Sequence, residues 1–267
     1  MSIRSLAYAP LADVFTLRRR RTANVVKGLR RVAVLTHHKC ASTFVSFYLK
    51  RFGEQNRLRT FQTHRGDAVA AREFHVSILT NAVYDVVRDH IECPAIHIIR
   101  NPLDIVVSAY YSHFSTHDVE GWPALGDQRR VLAGCSREQG FFLTLAFLER
   151  ADFYTGTPGP LHALRCWNFD DERIRTVRME DIVKDVNYQL GGFLIENLAG
   201  PIELPSPGDF TFERITGGRH AGEIDDRSHY RSGRPGEWRR DLPEPVINYI
   251  RTHFRPLLER YYRDSLV

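Results

Sequence analysis

The sequence predicts an α/β protein in which a mainly parallel β-sheet is flanked by α-helices. Two apolar runs, residues 32–36 and Ala95–Ile99, have the length and β-branched composition of buried strands. Each is followed by a small polar turn and then by apolar residues at helical spacing. A chain of 267 residues with 43% hydrophobic residues is long enough to bury one large core.

Residues 31–47 hold the first strand, a loop and the start of a helix. The loop consists of His38, Lys39, Cys40, Ala41, Ser42 and Thr43. A helix N-terminus supplies free N–H groups, and the lysine and two hydroxyls can converge on the same point, so this loop suits a phosphate or sulfate. It contains no glycine and its lysine comes early, unlike a Walker A loop, so binding of ATP or GTP is disfavoured.

Charge and cysteine content agree with an anion-binding protein in a reducing compartment. The net charge is +5, the sequence pI is about 9.1, and nearly all cations are arginines, which grip phosphates bidentately. The four cysteines are widely spaced and show no zinc pattern, so we expect free thiols and a cytoplasmic protein. Cys40 is expected to fill a small-residue position, although a thiol in a positive loop could also be reactive.

The N-terminal segment is expected to be a basic arm. Residues 1–30 carry four consecutive arginines at 18–21 and lack a signal-peptide pattern, and no stretch of the sequence is apolar enough to span a bilayer. A solvated arm is the simplest interpretation, and peripheral contact with an anionic membrane is the alternative. We do not expect nucleic acid as a partner.

The second strand leads into another candidate anion site. Asn101 is a good N-cap and Pro102 suits the first helical position, so Arg100 should stand at the carboxyl end of the strand and Ser108 two turns into the next helix. Ligands of open α/β sheets bind at that edge. Arg100 and Ser108 are therefore expected to hold a second phosphate near the first.

Five further stretches complete the pattern. Residues 141–150 should form a helix, the Gly/Pro cluster 155–160 a loop at the rim of a substrate site, and residues 174–179 a strand. Residues 208–226 are polar and contain glycines. They lead to the sequence HYRSGRPGEW at 229–238.

Together these motifs resemble the sulfotransferases that use 3′-phosphoadenosine 5′-phosphosulfate (PAPS). The family's Lys-Ser-Gly-Thr-Thr-Trp corresponds to residues 39–44, and its Arg-Asn-Pro-x-Asp-x-x-x-Ser-x-Tyr-Tyr is matched at every fixed position of 100–111. Its late Arg-Lys-Gly-x-x-Gly-Asp-Trp loop resembles 231–238, with Ser232 in place of lysine. The resemblance implies a three-layer sandwich like that of the P-loop NTPases, formed by residues 31–267, and a cover over the nucleotide near 208–226.

The resemblance also implies roles for individual residues. Lys39 would neutralise the leaving phosphate, and the hydroxyls of Ser42 and Thr43 with the loop amides, including those of Cys40 and Ala41, would hold the 5′-phosphate. Phe44 would stack on adenine. The residues expected to hold the 3′-phosphate are Arg100, Ser108, Arg231, Ser232 and Gly233, with Arg234 or Arg219 replacing the family's lysine. The product would be adenosine 3′,5′-bisphosphate (PAP), and no metal is expected.

An acceptor hydroxyl needs a general base, and imidazole suits that role. His75 is our first choice because its strand should end at the same sheet edge, His64 is the second, and Glu73 is a reserve because some relatives use glutamate. The acceptor itself is not readable from the sequence, and a saccharide or small metabolite is our expectation. Two other hypotheses stay open: a nucleoside-phosphate kinase of similar architecture, and a catalytically silent anion- or membrane-binding module.

Overall fold

The computed structural model describes residues 30–70 and 73–267. The basic arm predicted for residues 1–30, with its arginines at 18–21, lies outside the described residues except for Arg30. The described chain contains a five-stranded sheet in the order β2-β3-β1-β4-β5, in which every pair of neighbouring strands is parallel. The strands are β1 (Val32–Leu35), β2 (Thr60–Thr63), β3 (Val76–Leu79), β4 (Ala95–Ile99) and β5 (Ile174–Arg178).

Helices connect the strands and form the carboxyl-terminal third of the chain. The α-helices are α1 (Ser42–Asn56), α2 (Asp67–Ala70), α3 (Tyr84–His90), α4 (Pro102–Tyr111), α5 (Pro123–Leu132), α6 (Arg137–Leu148), α7 (Pro160–Arg165), α8 (Met179–Lys184), α9 (Gly192–Leu198), α10 (Phe212–Thr216), α11 (Trp238–Asp241), α12 (Glu244–His253) and α13 (Arg255–Tyr261). Two π-helical turns, Ser112–Thr116 and Asn187–Gly191, and two 3₁₀ turns, Pro207–Phe210 and Arg263–Ser265, complete the secondary structure.

The sheet lies between two apolar layers, because alternate residues of a strand face opposite sides. Val32 and Val34 pack with Ile96 and Ile98 against α1 and α9. Ala33 and Leu35 face the opposite side, where they pack with residues of α3 and with Trp167. Burial on both faces is typical of an all-parallel sheet, and it confirms the predicted α/β class.

Most predicted elements agree with the structure to within a few residues. The strand Ala95–Ile99 and the helix that begins at Pro102 are as expected, and the Asn101 side chain accepts a hydrogen bond from the Leu103 N–H as a helix cap does. Strand β2, which was not predicted, lies at the sheet edge and is only partly buried. Its alternating polar residues lack the continuous apolar run on which the other predictions depended.

Candidate functional site

The strand order reverses between β1 and β4, and this places two of the predicted motifs side by side. From β1 the chain proceeds to β2 and β3 on one side, and β4 and β5 then add to the other side. The crevice beyond the carboxyl ends of two such strands is where open α/β sheets bind ligands. Lys39 follows β1 and Arg100 follows β4, and Nη1 of Arg100 donates a hydrogen bond of 3.0 Å to the carbonyl oxygen of Lys39.

The loop after β1 folds tightly into the N-terminus of α1. The Cys40 N–H donates to the His37 carbonyl at 3.0 Å, and both Lys39 (φ 65°) and Ala41 (φ 59°) have left-handed backbone conformations. Ala41 has this conformation where the family motif has glycine. The first turn of a helix leaves its N–H groups without intrahelical acceptors, and no side chain of the described residues caps α1. The free N–H groups and the helix dipole therefore favour an anion at this point.

Two cations lie here without a carboxylate of the described chain close enough for an ion pair, although the carboxyl groups of Asp104 and Glu180 interact electrostatically with Arg100. Neither Lys39 nor Arg100, both half-buried, forms an ion pair with any residue of the described ranges. Nε of Arg100 is buried and has no hydrogen-bond partner there. Burial first, and the neighbouring Arg100 charge second, lower the pKa of Lys39 to about 7. A bound anion would stabilise the Lys39 ammonium against both the effect of burial and the repulsion by Arg100.

The thiol of Cys40 is structural. Its side chain is fully buried in the core beside α4, and burial raises its pKa to about 12. A thiol in that state is not nucleophilic. This agrees with the expectation that Cys40 fills a small-residue position.

Ser108 and Asp104, the two residues of α4 that match polar positions of the family motif, have different surroundings. Ser108 is half-buried, and its hydroxyl has no hydrogen-bond partner within the described ranges. Asp104 is 2% exposed and accepts hydrogen bonds from the backbone N–H groups of Gly236 (2.8 Å) and Trp238 (3.4 Å). Asp104 thereby fastens the late glycine-containing stretch to the helix that carries Ser108.

Arg231, predicted to bind the 3′-phosphate, is already paired with carboxylates in this structure. Its guanidinium pairs with Asp226 (2.6 Å), Glu237 (2.7 Å) and Asp241 (3.4 Å), and lies 3.7 Å from the centre of the Tyr111 ring. Three carboxylates and an aromatic face therefore surround the charge that was expected to bind the 3′-phosphate. In this structure Arg231 positions the loop.

Arg219, one of the two proposed replacements for the missing lysine, is also engaged in the loop. It donates to the carbonyl oxygens of Tyr230 (2.5 Å) and Arg231 (3.0 Å) and to the Ser228 hydroxyl (2.8 Å). Arg234 is exposed and has no ion pair within the described part of the chain, so it is the better candidate of the two.

Ser232 and Gly233 form a tight turn under α10. The Ser232 hydroxyl is buried and accepts a hydrogen bond from the Arg234 N–H. The backbone carbonyl of Ser232 accepts one from the Gly222 N–H at 2.7 Å. Gly233 has φ 68°, and a Cβ there would lie 2.3 Å from the Phe212 ring. Glycine is therefore required at 233, and the segment that contains Gly222 is hydrogen-bonded to this turn.

Phe44 is buried within α1. Its side chain is 6% exposed and contacts the Phe210 ring edge-on, with a centroid distance of 6.2 Å. The ring is thus a core residue beside the candidate nucleotide site, and the aromatic surface that it offers to a base is small.

His75 and Glu73 do not reach the site. The Val32 N–H at the start of β1 donates to the His75 carbonyl, so His75 precedes β3 at the amino edge of the sheet. It is 6% exposed, and its Nδ1 accepts the Arg59 N–H at 2.9 Å. Glu73 has an 81% exposed side chain paired with Arg59. The expectation that His75 ends a strand beside Lys39 is wrong, because the strand begins after it.

His64 lies at the correct edge. It directly follows β2, and its ring meets that of Tyr154 at a centroid distance of 5.3 Å. Tyr154 in turn contacts Trp122 at 5.0 Å. His64 therefore borders an aromatic region that extends towards Lys39 and remains a candidate acceptor-side residue.

A histidine group that was not predicted from the sequence lies beside Lys39. Nε2 of His38 and Nε2 of His113 are 2.9 Å apart, and Nδ1 of His113 is 2.9 Å from Oε1 of Gln128. The His117 ring lies 5.1 Å from that of His38. Burial is the largest cause that holds the pKa of His38 and His113 well below the ordinary value, and the Lys39 charge lowers both further.

The signal that could have found this group was present. His38 adjoins Lys39, and His113 and His117 are spaced i, i+4 directly after the Ser-x-Tyr-Tyr stretch. The π-helical turn Ser112–Thr116 then buries His113 completely. Arg129 binds the carbonyl oxygens of His113 and His117 and fastens both ends of this turn.

Neither a metal centre nor a membrane span is found in the described ranges. No group of three or more His, Cys, Asp or Glu side chains there could hold a metal ion. No described helix combines the length and the apolar character that crossing a membrane requires.

Comparison with solved structures supports the fold. The chain aligns with the crystal structure of mouse sulfotransferase SULT7A1 complexed with PAP at a TM-score of 0.53 and 15% identity, covering 86% of this chain and 84% of the other. It also aligns with retinol dehydratase in complex with androsterone and inactive cofactor PAP at a TM-score of 0.47 and 12% identity, covering 86% and 81%. No protein-family model matches the sequence, and a search of curated proteins gives no match. The alignment with the SULT7A1 structure shows that the chain shares the fold of that sulfotransferase.

Proposed function

We propose that this protein is a PAPS-dependent sulfotransferase that transfers a sulfuryl group to a hydroxyl or amine acceptor. The observation that carries the proposal is the pair Lys39 and Arg100. Both are half-buried cations without an ion pair in residues 30–70 and 73–267, and they are joined by a 3.0 Å hydrogen bond at the switch point of the sheet. Two half-buried cations this close repel each other, and a bound anion stabilises both.

Lys39 and the start of α1 suit the sulfuryl-bearing 5′-phosphate. Sulfuryl transfer, like phosphoryl transfer, needs an in-line acceptor and neutralisation of charge on the leaving phosphate. Lys39 supplies that charge, and the α1 amides with the hydroxyls of Ser42 and Thr43 hold the phosphate oxygens. These groups are preorganised by the fold, which makes their electrostatic contribution large.

Arg100 and Ser108 suit the 3′-phosphate, which distinguishes PAPS and PAP from ordinary adenine nucleotides. The unpartnered Nε of Arg100 and the free Ser108 hydroxyl are available donors. The turn at Ser232 and Gly233 closes this side through backbone N–H groups, and Arg234 adds charge at its rim. Arg231 supports the turn through its ion pairs.

The acceptor side is the aromatic region bordered by His64, Tyr154 and Trp122. We propose a small hydroxyl-bearing metabolite or saccharide as acceptor, since the half-buried rings of His64 and Tyr154 can pack against it while the buried Trp122 supports Tyr154 from the core. The four cysteines are all free, which fits a cytoplasmic protein.

Calorimetric titration with PAP, 5′-AMP and ATP, each with and without magnesium, tests the donor site. We expect micromolar or tighter binding of PAP without metal and much weaker binding of 5′-AMP. Arg100→Ala should remove most of this preference, whereas Arg88→Ala, at an exposed arginine of α3, should not. A preference for ATP with magnesium would favour a nucleoside-phosphate kinase, and PAP binding without any PAPS turnover would favour a silent binding module.

A further inference from the structure

The base expected from the sequence, His75, is at the wrong edge of the sheet, and the position beside Lys39 holds another histidine. His38 is adjacent to Lys39 in the chain and half-buried. Its ring lies 5.6 Å from the Trp122 ring and 5.3 Å from the Phe153 ring. His38 therefore lies between the candidate donor site and the aromatic region of the acceptor side.

Two hydrogen bonds define the tautomers of His113 and His38. With the Gln128 amide oriented so that Oε1 faces Nδ1 of His113, this nitrogen carries a proton, because a carbonyl oxygen can only accept. The neutral His113 then has a lone pair on Nε2, and Nε2 of His38 must donate to it across 2.9 Å. Nδ1 of His38 is left as the basic nitrogen, and it makes no hydrogen bond with any residue the structure describes.

The surroundings keep this nitrogen unprotonated. Lys39, His113, His117 and His229 all face His38, and each lowers its pKa in addition to the larger effect of burial. The ring is therefore neutral and can accept a proton, and the charge of a phosphate bound beside Lys39 offsets the charges that disfavour the imidazolium. The buried His113, whose carbonyl is bound by Arg129, keeps the His38 ring in a fixed orientation.

We propose that His38 is the general base of the sulfuryl transfer, positioned by a relay through His113 and Gln128; this inference rests on the proposed function. In the step, the acceptor O–H bond breaks and its proton moves to Nδ1 of His38 while the acceptor oxygen forms a bond to sulfur. The bond between sulfur and the 5′-phosphate oxygen of PAPS breaks, and its electron pair stays on the phosphate beside Lys39. The His38 imidazolium donates its Nε2–H to His113 and afterwards releases the Nδ1 proton to water.

Two variants separate the base from its support. His38→Gln keeps an amide N–H that can donate to His113 but has no basic nitrogen. Gln128→Met keeps the volume of the side chain but removes the acceptor that fixes the His113 tautomer. His90→Gln, at an exposed histidine of α3, is the matched control.

For each variant, calorimetry measures PAP binding. A second assay measures enzyme-dependent conversion of PAPS to PAP, once with water alone and once with 2-naphthol as acceptor. We expect His38→Gln to lower PAP formation by about 100-fold, within the usual contribution of a general base. Gln128→Met should cause a smaller loss, and His90→Gln none. PAP affinity should be the same in all four proteins.

Nitrogen NMR of histidine-labelled protein bound to PAP supplies a readout that does not need turnover. We expect His38 to carry its proton on Nε2 in the parent, and both tautomers to be populated in Gln128→Met. The inference is overturned by a protonated Nδ1 in the parent, by a His38→Gln variant that keeps most of its PAPS conversion, or by a parent that binds PAP without converting PAPS. Failure of the parent to bind PAP would instead refute the donor site.

Discussion

Binding of PAP should be coupled to protonation of Lys39. In the free protein, burial and the Arg100 charge lower the pKa of Lys39 to about 7, so about half of the lysines are neutral at pH 7 and about nine-tenths at pH 8. A bound phosphate stabilises the ammonium and raises this pKa, so the complex holds more protons than the free protein. Affinity should therefore be greatest below pH 7 and fall by up to about tenfold per pH unit above it.

Calorimetry in two amine buffers with different ionisation enthalpies measures the protons taken up. We expect uptake of about half a proton at pH 7 and nearly one at pH 8, in a range where the phosphate itself is already ionised. Lys39→Met should abolish the uptake, whereas Lys50→Met, at an exposed lysine of α1, should keep it. Equal proton uptake in parent and Lys39→Met, or none at pH 8, would refute the assignment of Lys39 to the phosphate.

Three further variants test how the site is supported. Ala41→Gly should raise the free energy of unfolding by about 0.5–1 kcal/mol because it relieves a left-handed conformation. The control Ala146→Gly, on the exposed face of α6, should lower the free energy of unfolding by about 1 kcal/mol. Urea denaturation measures both changes. Asp104→Ala should cost about 2 kcal/mol, since two buried N–H groups lose their acceptor, and an undiminished urea midpoint would contradict this. Arg231→Ala should cost about 2 kcal/mol and weaken PAP and 5′-AMP equally; loss of PAP binding alone would assign Arg231 to the 3′-phosphate after all.

The elements that carry the donor site were predictable because their signals are local. A buried parallel strand is a continuous apolar run, and the Asn101 cap with Pro102 marks the start of α4 within three residues. The carboxyl ends of parallel strands share one edge, so the proximity of Lys39 and Arg100 follows from two local patterns. The position of Ser108 near Arg100 follows in addition from the helical repeat of α4.

The roles of charged residues in the late stretch were not predictable in the same way. Arginine is a typical phosphate ligand, so Arg231 and Arg219 were both candidates. In the structure, Arg231 is paired with Asp226, Glu237 and Asp241. Arg219 binds backbone carbonyls instead. Whether a guanidinium is free or already paired depends on contacts that no local pattern specifies.

The sequence by itself determined the α/β class, the tight loop after β1 that is the candidate anion site, and the arginine after β4, because each depends on hydrophobic periodicity and helix-capping chemistry within a few residues. Only the tertiary structure decided that His75 lies at the opposite edge of the sheet from Lys39 and that His113 meets His38. His75 precedes its strand and His38 follows another, and a shift from one end of a strand to the other moves a side chain across the whole sheet. His113 joins His38 from 75 residues away through a π-helical turn, a long-range contact set by packing against Gln128 and Trp122.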